Sequence, residues 1–186
     1  MKRTFDLLLA IFLLVILAFP MLLISFAVFI SSKGPSIHWS ERIGRNNRVF
    51  KMPKFRSMIL STPSVASHIL DNPESYLSPI GGFLRRSSLD ELPQLISIIK
   101  GDMSFVGPRP ALYNQYELIS LRIDKGIDKL LPGITGWSQI NGRDEISINE
   151  KVNFDVEYLN RQSFWFDLHI LWITFLIVIK RDGVSH

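Results

Sequence analysis

Residues 7–30 read LLLAIFLLVILAFPMLLISFAVFI, and this stretch decides the fold class of the protein. Its 24 residues carry no charge, and eighteen of them are Leu, Ile, Phe or Val. On an insertion scale these eighteen side chains favour the membrane by roughly 5 to 11 kcal/mol, so we expect the segment to lie in a bilayer. A cleaved signal peptide is disfavoured because the apolar run is too long and no Ala-x-Ala site follows it.

Two arrangements in the membrane remain open for this segment. Its length is enough for a helix that crosses the bilayer. However, Pro20 near its middle removes a backbone hydrogen bond and predicts a kink. Lys2 and Arg3 precede the segment and seven Lys or Arg residues follow between Lys33 and Arg56, so the positive-inside rule keeps both flanks in the cytoplasm. A re-entrant helix, broken at Pro20 so that it enters the membrane and returns, satisfies both flanks.

The rest of the sequence predicts a mainly helical body with a small β element. Residues 48–56 alternate loosely and contain a proline, which predicts a short strand or a hairpin. Several turn-forming residues predict a loop over 131–143. Apolar spacing and breaker residues predict helices over 65–70, over 81–100 with a break near Pro93, over 111–129 and over 150–159.

The C-terminal apolar segment, 164–180, is too short to cross a bilayer. Its nearly continuous apolar part is 170–179, and it carries Asp167 and His169 just before. Trp165 and Trp172 are typical of a helix that lies at the headgroup level, whereas a buried core helix has the same length. Both interpretations stay open on sequence alone.

Composition excludes several classes of site. The 186 residues include no cysteine, which excludes disulfides, a Cys-ligated metal and a thiol nucleophile. The four histidines are scattered, and no Walker loop, Gly-x-Gly-x-x-Gly or Gly-x-Ser-x-Gly motif is present. The net charge of +4 is too small, and too close to the membrane segment, for a nucleic-acid binder.

Asp90 and Glu91 are the first candidates for chemistry. Two adjacent carboxylates can supply a nucleophile, a base or oxygen ligands for Mg²⁺. A structural alternative is a helix cap, since Ser88 and Glu91 have the spacing of a Ser-x-x-Glu capping box. If Pro93 instead opens the helix, the two acids lie in a bent lead-in.

A set of cations is the second candidate. Arg109 lies between two prolines, which limit its backbone and present the guanidinium at low entropic cost. Arg85 precedes the acids, and Lys54 with Arg56 forms a further basic pair. A guanidinium fork matches phosphate or diphosphate. Each cation alone also fits a solvated surface charge.

Five longer strings follow one another along the chain: KFRSM (54–58), SLDELPQL (88–95), KGDMSFVGPRP (100–110), PGITGW (132–137) and NGR (141–143). In this order and spacing they resemble the bacterial sugar transferase family, the monotopic phosphoglycosyl transferases. The resemblance covers nearly the whole chain, and Lys2, Arg3, Phe5 and Asp6 before the apolar segment extend it.

The resemblance implies transfer of a sugar-1-phosphate from a UDP-sugar to polyprenyl phosphate, with release of UMP. It assigns Asp90 as the nucleophile that forms a covalent phosphosugar intermediate and Glu91 as its assistant. Mg²⁺ held at Asp90 and Glu91 neutralises the diphosphate. Arg85 and Arg109 are implied phosphate binders, and we add Lys54 and Arg56 as candidates for binding phosphate or nucleotide.

The resemblance also implies a location and a division of the chain. We expect 1–32 to be a re-entrant membrane helix broken at Pro20, and 33–186 to be a cytosolic catalytic domain that includes an interfacial helix over 164–180. The expected site is the cytoplasmic face of the bacterial inner membrane, in a minimal catalytic form of the family. Phe19 departs from the serine that often precedes the family's proline, which leaves the local geometry of the kink open.

The expected partners are a UDP-sugar, polyprenyl phosphate, the lipid bilayer and downstream glycosyltransferases, and no nucleic acid. The pathway implied is the first membrane step of a surface polysaccharide or glycoconjugate. On resemblance alone we expect the sugar to be an N-acetylated hexosamine such as GalNAc, or a deoxy relative. The rival hypothesis is a non-catalytic membrane-anchored scaffold that binds anionic lipid through its basic stretch, with Asp90 and Glu91 serving only as a cap.

Overall fold

The computed structural model describes residues 1–32, 34–63, 72–142 and 146–180. It is a mainly helical α+β protein with two small two-stranded sheets, as the sequence predicts. The predicted helix over 65–70 lies outside the described residues. The elements are α1 Lys2–Ser32, β1 Ile37–Ile43, β2 Val49–Phe55, α2 Gly81–Arg86, α3 Leu95–Lys100, β3 Ser104–Val106, α4 Tyr116–Asp124, β4 Gly133–Thr135, α5 Trp137–Ile140, α6 Ile148–Arg161 and α7 Phe164–Lys180.

Helix α1 holds the apolar segment and has Pro20 inside it. Among the described residues it is the one helix long and apolar enough to cross a membrane. Most of its large side chains are exposed, for example Phe12 at 60% and Phe19 at 69%. The break at Pro20 stays a prediction.

The N-terminal end of α1 is fixed to the body of the protein by polar contacts. Lys2 pairs with Asp167 at 2.5 Å, and the Arg3 guanidinium donates to the Ile98 carbonyl at 2.6 Å. The carboxylate of Asp6 is buried and accepts a hydrogen bond from Ser104 Oγ at 2.8 Å. These three side chains explain why charged residues precede the apolar run.

The C-terminal end of α1 packs against the same body. Val28 is fully buried in a cluster with Phe55 and Leu84. Ser36 Oγ donates to the Ser25 carbonyl at 2.7 Å, which ties the chain after the helix back onto it. Because both ends contact one body, α1 lies along that body with its other face exposed.

The β element is an antiparallel hairpin of β1 and β2, which confirms the strand predicted over 48–56. Its turn contains Asn46 and Asn47, both left-handed with φ of 55° and 58°. Asparagine tolerates this conformation better than most residues. Pro53 fits because each strand of a two-stranded sheet has an unpaired edge.

Two segments differ from the sequence-based predictions. The predicted helix over 81–100 is three pieces, namely α2, a 3₁₀ segment Leu89–Gln94 and α3. The loop predicted over 131–143 is wrong in part, because it contains β4 and α5. Strand β4 pairs in parallel with β3, a long-range contact that three-residue strands do not reveal by periodicity.

The two C-terminal helices cover the core. The helix predicted over 150–159 is confirmed as α6, which a Ser147–Glu150 capping box begins. The helix predicted over 111–129 is confirmed only for its central part, α4. In α7, Phe166 and Ile170 are buried whereas Trp165 is 78% exposed, so this helix has both a core face and an exposed aromatic face.

Candidate active site

Asp90 and Glu91 lie in the tight 3₁₀ turn before α3, held by an unusual backbone conformation. Ser88 is left-handed with φ of 56°, and its side chain makes no capping hydrogen bond. The capping box considered for Ser88 and Glu91 is therefore absent, and the bent lead-in before α3 is what forms. Non-glycine residues in this conformation are strained and concentrate at functional sites. Asp90 is only 7% exposed.

Glu91 is already paired with two cations. Its Oε1 atom lies 2.6 Å from Lys54 Nζ and 3.7 Å from Arg109 Nη1. Burial alone would raise the pKa of Glu91, but the charge and hydrogen bond of Lys54 and the charges of Arg109 and Arg42 outweigh it and lower the pKa to about 2. Glu91 is thus a fixed anion that orients Lys54 and Arg109 beside Asp90.

Arg85 brings a further guanidinium to the acids from the last turn of α2. Its Nε atom donates to Ser57 Oγ at 3.2 Å. Burial lowers the pKa of Arg85, as does the charge of Arg109, whereas Asp90 and Glu91 act in the opposite direction. These mutual effects mean that the two arginines and the two carboxylates share one electrostatic environment.

The loop that presents Arg109 is anchored at each of its four residues 107–110. Backbone bonds join Gly107 N to Thr135 O at 2.9 Å and Pro108 O to Gly133 N at 3.0 Å. A Cβ atom at Gly107 would collide with the Leu131 carbonyl, so only glycine allows β3 and β4 to approach this closely. The backbone of the Arg109 loop is consequently set by the small parallel sheet.

The side chains of two further arginines hold the other two residues of the loop, by donating to their backbone carbonyls. Arg122 Nη1 donates to the Arg109 carbonyl at 2.8 Å, and Arg42 Nη1 donates to the Pro110 carbonyl at 3.1 Å. Arg122 is held in turn by Asp155 Oδ2, at 3.0 Å from Nε and 2.7 Å from Nη2. Ser138 Oγ donates to the other oxygen of Asp155 at 3.0 Å. This buried network links α4, α5 and α6 to the Arg109 loop.

A small cleft lies beside Glu91, and Asp90 does not line it. Glu91, Arg109 and Arg42 line it on the polar side, with Met52 and Ile134 on the apolar side. Four cations, Arg42, Lys54, Arg85 and Arg109, thus surround two carboxylates. The local excess of two positive charges suits a diphosphate.

Comparison with known proteins assigns the family. A family model described as "Bacterial sugar transferase" matches residues 1–181. The chain belongs to this family. The undecaprenyl-phosphate galactose phosphotransferase of Salmonella typhimurium is 35% identical over 98% of this chain and 41% of its own length. The UDP-glucose:undecaprenyl-phosphate glucose-1-phosphate transferase of Escherichia coli K12 is 40% identical over 94% of this chain and 39% of its own length.

The chain therefore spans about two fifths of the length of these two relatives. A third relative, the uncharacterized sugar transferase EpsL of Bacillus subtilis, is 38% identical and matches over 100% of this chain and 90% of its own length. The motifs that carried the resemblance all lie within the residues that the family model matches.

The fold brings together some of the residues that the sequence singled out and separates others. Lys54, Arg85 and Arg109 surround the Asp90–Glu91 dyad. Arg56 instead lies against Gly34, just after α1. Pro20 lies inside the apolar helix, far along the chain from the dyad.

Sequence reasoning missed the residues that hold the site in place, Arg42, Arg122 and Asp155. Arg42 appeared only as part of the basic flank. Asp155 had one available signal in the sequence: it lies three residues after Val152 and three before Tyr158, which is the spacing of one helix face. Among the described residues, no cluster of three or more His, Cys, Asp or Glu side chains forms a ready-made metal site.

Proposed function

We propose that the chain transfers a sugar-1-phosphate from a UDP-sugar to polyprenyl phosphate, through a covalent intermediate on Asp90. The observation that carries the proposal is a buried Asp90 carboxylate held on a strained turn beside Glu91, Arg85 and Arg109. The printed names of the relatives, which include undecaprenyl-phosphate phosphotransferases, support the same reaction.

In the first step an oxygen of Asp90 attacks the sugar-linked phosphorus of the donor. The bond between that phosphorus and the bridging oxygen breaks, and the bridging oxygen leaves on UMP. In the second step an oxygen of polyprenyl phosphate attacks the same phosphorus, which releases the Asp90 carboxylate and forms the polyprenyl diphosphate sugar. Neither step needs a net proton.

The chain's own residues supply the electrostatics of this reaction. Two phosphate groups repel a carboxylate nucleophile, so fixed cations must offset their charge. Arg85 and Arg109 are the donors for the diphosphate, because both lie beside the acids. Glu91 stays ionised at neutral pH, as its low pKa requires, and keeps Lys54 and Arg109 in place.

Asp90 and Glu91 fit a Mg²⁺ ion that is bound jointly by the protein and the substrate, rather than one held by protein ligands alone. The ion is usually bound by one or two carboxylates together with substrate phosphates and water. Asp90 and Glu91 supply two adjacent carboxylates, and no further acid among the described residues joins them. When bound, Mg²⁺ would neutralise charge on the diphosphate. Isothermal titration with Mg²⁺, with and without a UDP-sugar, tests this, and Mg²⁺ binding that requires the nucleotide is the expected result.

The contacts of α1 support a monotopic arrangement. Lys2, Arg3 and Asp6 fix one end of the helix to the body, and Val28 fixes the other. A helix that crosses a bilayer cannot keep both ends on one body on one side of the membrane. We therefore propose a re-entrant α1 at the cytoplasmic face of the bacterial inner membrane, bent at Pro20, with the exposed Trp face of α7 at the headgroups.

The sequence resemblance and the names of the relatives point to different donor sugars. The sequence resemblance led us to an N-acetylated hexosamine, whereas the names of relatives contain galactose and glucose. The product would be extended by downstream glycosyltransferases in a surface glycan pathway.

The test is release of UMP by the detergent-purified protein with Mg²⁺ and undecaprenyl phosphate. The panel of UDP-sugars includes the N-acetylated hexosamines, galactose and glucose. We expect release with one donor from the wild type and none from Asp90→Asn. Arg48→Gln, a change at an exposed position in the hairpin, serves as the control and should be fully active. A fully folded wild type that is inactive with every donor would favour the scaffold hypothesis.

A further inference from the structure

One face of the hairpin forms a row of basic groups. Cross-strand partners and residues two apart share a face of a sheet, so His38, Arg42 and Lys54 point the same way, with Arg56 next in line after β2 ends. The lowered pKa of His38 supports this, because after burial its causes are the charges of Arg56, Lys54 and Arg42. The row leads from the cleft at Glu91 toward the end of α1.

Arg56, the last residue of this row, is buried and has an unpaired hydrogen-bond donor. The residue is 8% exposed, and its Nη1 atom has no hydrogen-bond partner among the described residues. Lys54, by contrast, is paired with Glu91. A buried charged donor without a partner is unfavourable, so this guanidinium is suited to bind an anion.

The position of Arg56 indicates where that anion comes from. The backbone at Gly34, two residues after α1 ends, lies directly against Arg56 Nη1. Arg56 N also donates to the Ser36 carbonyl at 2.9 Å, in the same exit segment. The unpaired guanidinium is therefore at the place where the chain leaves the apolar helix.

A purely structural role for Arg56 at the end of α1 has less support. A cation can stabilise a helix C-terminus by pairing with its last carbonyls. The Val28 carbonyl there accepts hydrogen bonds from Ser31 Oγ at 3.3 Å and Ser32 Oγ at 2.8 Å. Arg56 Nη1 bonds to no carbonyl among the described residues, so it makes no such contact with the end of α1.

We infer that Arg56 binds the phosphate of the lipid acceptor, a long-chain prenyl phosphomonoester, as it enters from the membrane. The inference rests on the proposed function, and it assigns different cations to the donor and to the lipid acceptor. The four cations around the dyad match the donor diphosphate, so the incoming dianion needs a cation of its own on the membrane side. Ser57, adjacent to Arg56, contacts Arg85, which connects this position to the dyad.

The kinetic test uses the two half-reactions separately. Arg56→Gln should raise the KM for undecaprenyl phosphate by about 10- to 100-fold, the loss expected for one charged hydrogen bond. The burst of UMP in the absence of lipid should keep its wild-type rate, because the donor does not reach Arg56. Arg56→Lys, which keeps the charge but not the planar fork, should recover part of the lipid KM. The matched control is Arg48→Gln, an equal change of charge at the exposed hairpin turn.

A binding test does not depend on turnover. In phosphatidylcholine nanodiscs, undecaprenyl phosphate should raise the unfolding temperature of the wild type and of Arg48→Gln, but not of Arg56→Gln. An equal shift with phosphatidylglycerol or inorganic phosphate would mean a general anion site and would overturn the assignment. An Arg56→Gln variant that binds lipid normally, or that loses the UMP burst together with lipid binding, would also overturn it. A wild type that binds lipid through Arg56 but is inactive with every donor would contradict the proposed function alone.

Discussion

Breaking the buried Arg122–Asp155 pair should be far more harmful than breaking a surface pair on the same helix. In Asp155→Asn, the Arg122 guanidinium keeps its place, with a side chain only 10% exposed, but loses the anion that receives two of its hydrogen bonds. Removing one member of a buried ion pair costs about 3 to 5 kcal/mol. At roughly 2 to 4 °C per kcal/mol for a chain of this size, the unfolding temperature should fall by about 6 to 20 °C.

Removing both members should cost much less. Burial raises the pKa of Asp155 even though Arg122 and Ser138 act to lower it, so the desolvation of this carboxylate outweighs what its partners contribute. Apolar replacement of a whole buried pair is often neutral. We therefore expect Arg122→Met/Asp155→Leu to be more stable than Asp155→Asn.

The assay is thermal unfolding of the detergent-purified variants, with Glu157→Gln as the control. Glu157 is on the same helix as Asp155, and its pair with Arg161 is exposed at 41% and 51%. Glu157 also accepts a hydrogen bond from Trp137 Nε1 at 2.8 Å, and a glutamine keeps an oxygen that can accept it. The substitution should therefore cost no more than about 0.5 kcal/mol. If Asp155→Asn unfolds at the same temperature as Glu157→Gln, or if the double variant is the least stable of all, the reasoning is refuted.

Three other changes test the local structure of the site. Because the pKa of Glu91 falls from 4.5 to about 2 on folding, its contribution of ~3 kcal/mol should be present above pH 4.5 and lost as the pH falls toward 2. Unfolding measured over this range should show a smaller loss for Glu91→Gln, and parallel curves would contradict the assignment. Ser88→Gly relieves the left-handed strain and should stabilise the protein by about 1 kcal/mol in a denaturant titration, whereas a destabilised variant would show that the backbone is not strained. Gly107→Ala forces a methyl group against the Leu131 carbonyl, so the KM for the UDP-sugar should rise and the unfolding temperature should fall, and an unchanged KM would disprove the anchoring role of this turn.

Strong local patterns in the sequence predicted much of the fold. The uncharged run became α1, the alternation over 48–56 became β2, and the Ser147–Glu150 spacing became a real cap for α6. The Ser88–Glu91 spacing is the same motif and forms no cap. The difference is that Pro93 and the left-handed Ser88 favour a 3₁₀ turn over the start of an α-helix.

Long-range contacts could not be predicted from the sequence. Strands β3 and β4 have three residues each, and they pair closely because Gly107, just after β3, and Gly133, in β4, carry no Cβ atom. Arg122 and Asp155 are 33 residues apart and meet only when α4 packs on α6. The candidate acids and arginines were visible in motifs, but the network that fixes Arg109 depends on tertiary structure.

The most direct test of the central claim is the mass of the protein after incubation with Mg²⁺ and its UDP-sugar, without lipid acceptor. We predict the addition of one sugar phosphate to the peptide that contains Asp90, together with one UMP released per chain, and removal of the adduct when undecaprenyl phosphate is added. Asp90→Asn should show neither adduct nor UMP. UMP release that occurs only when the lipid is present, or an adduct on any other residue, would contradict Asp90 as the nucleophile.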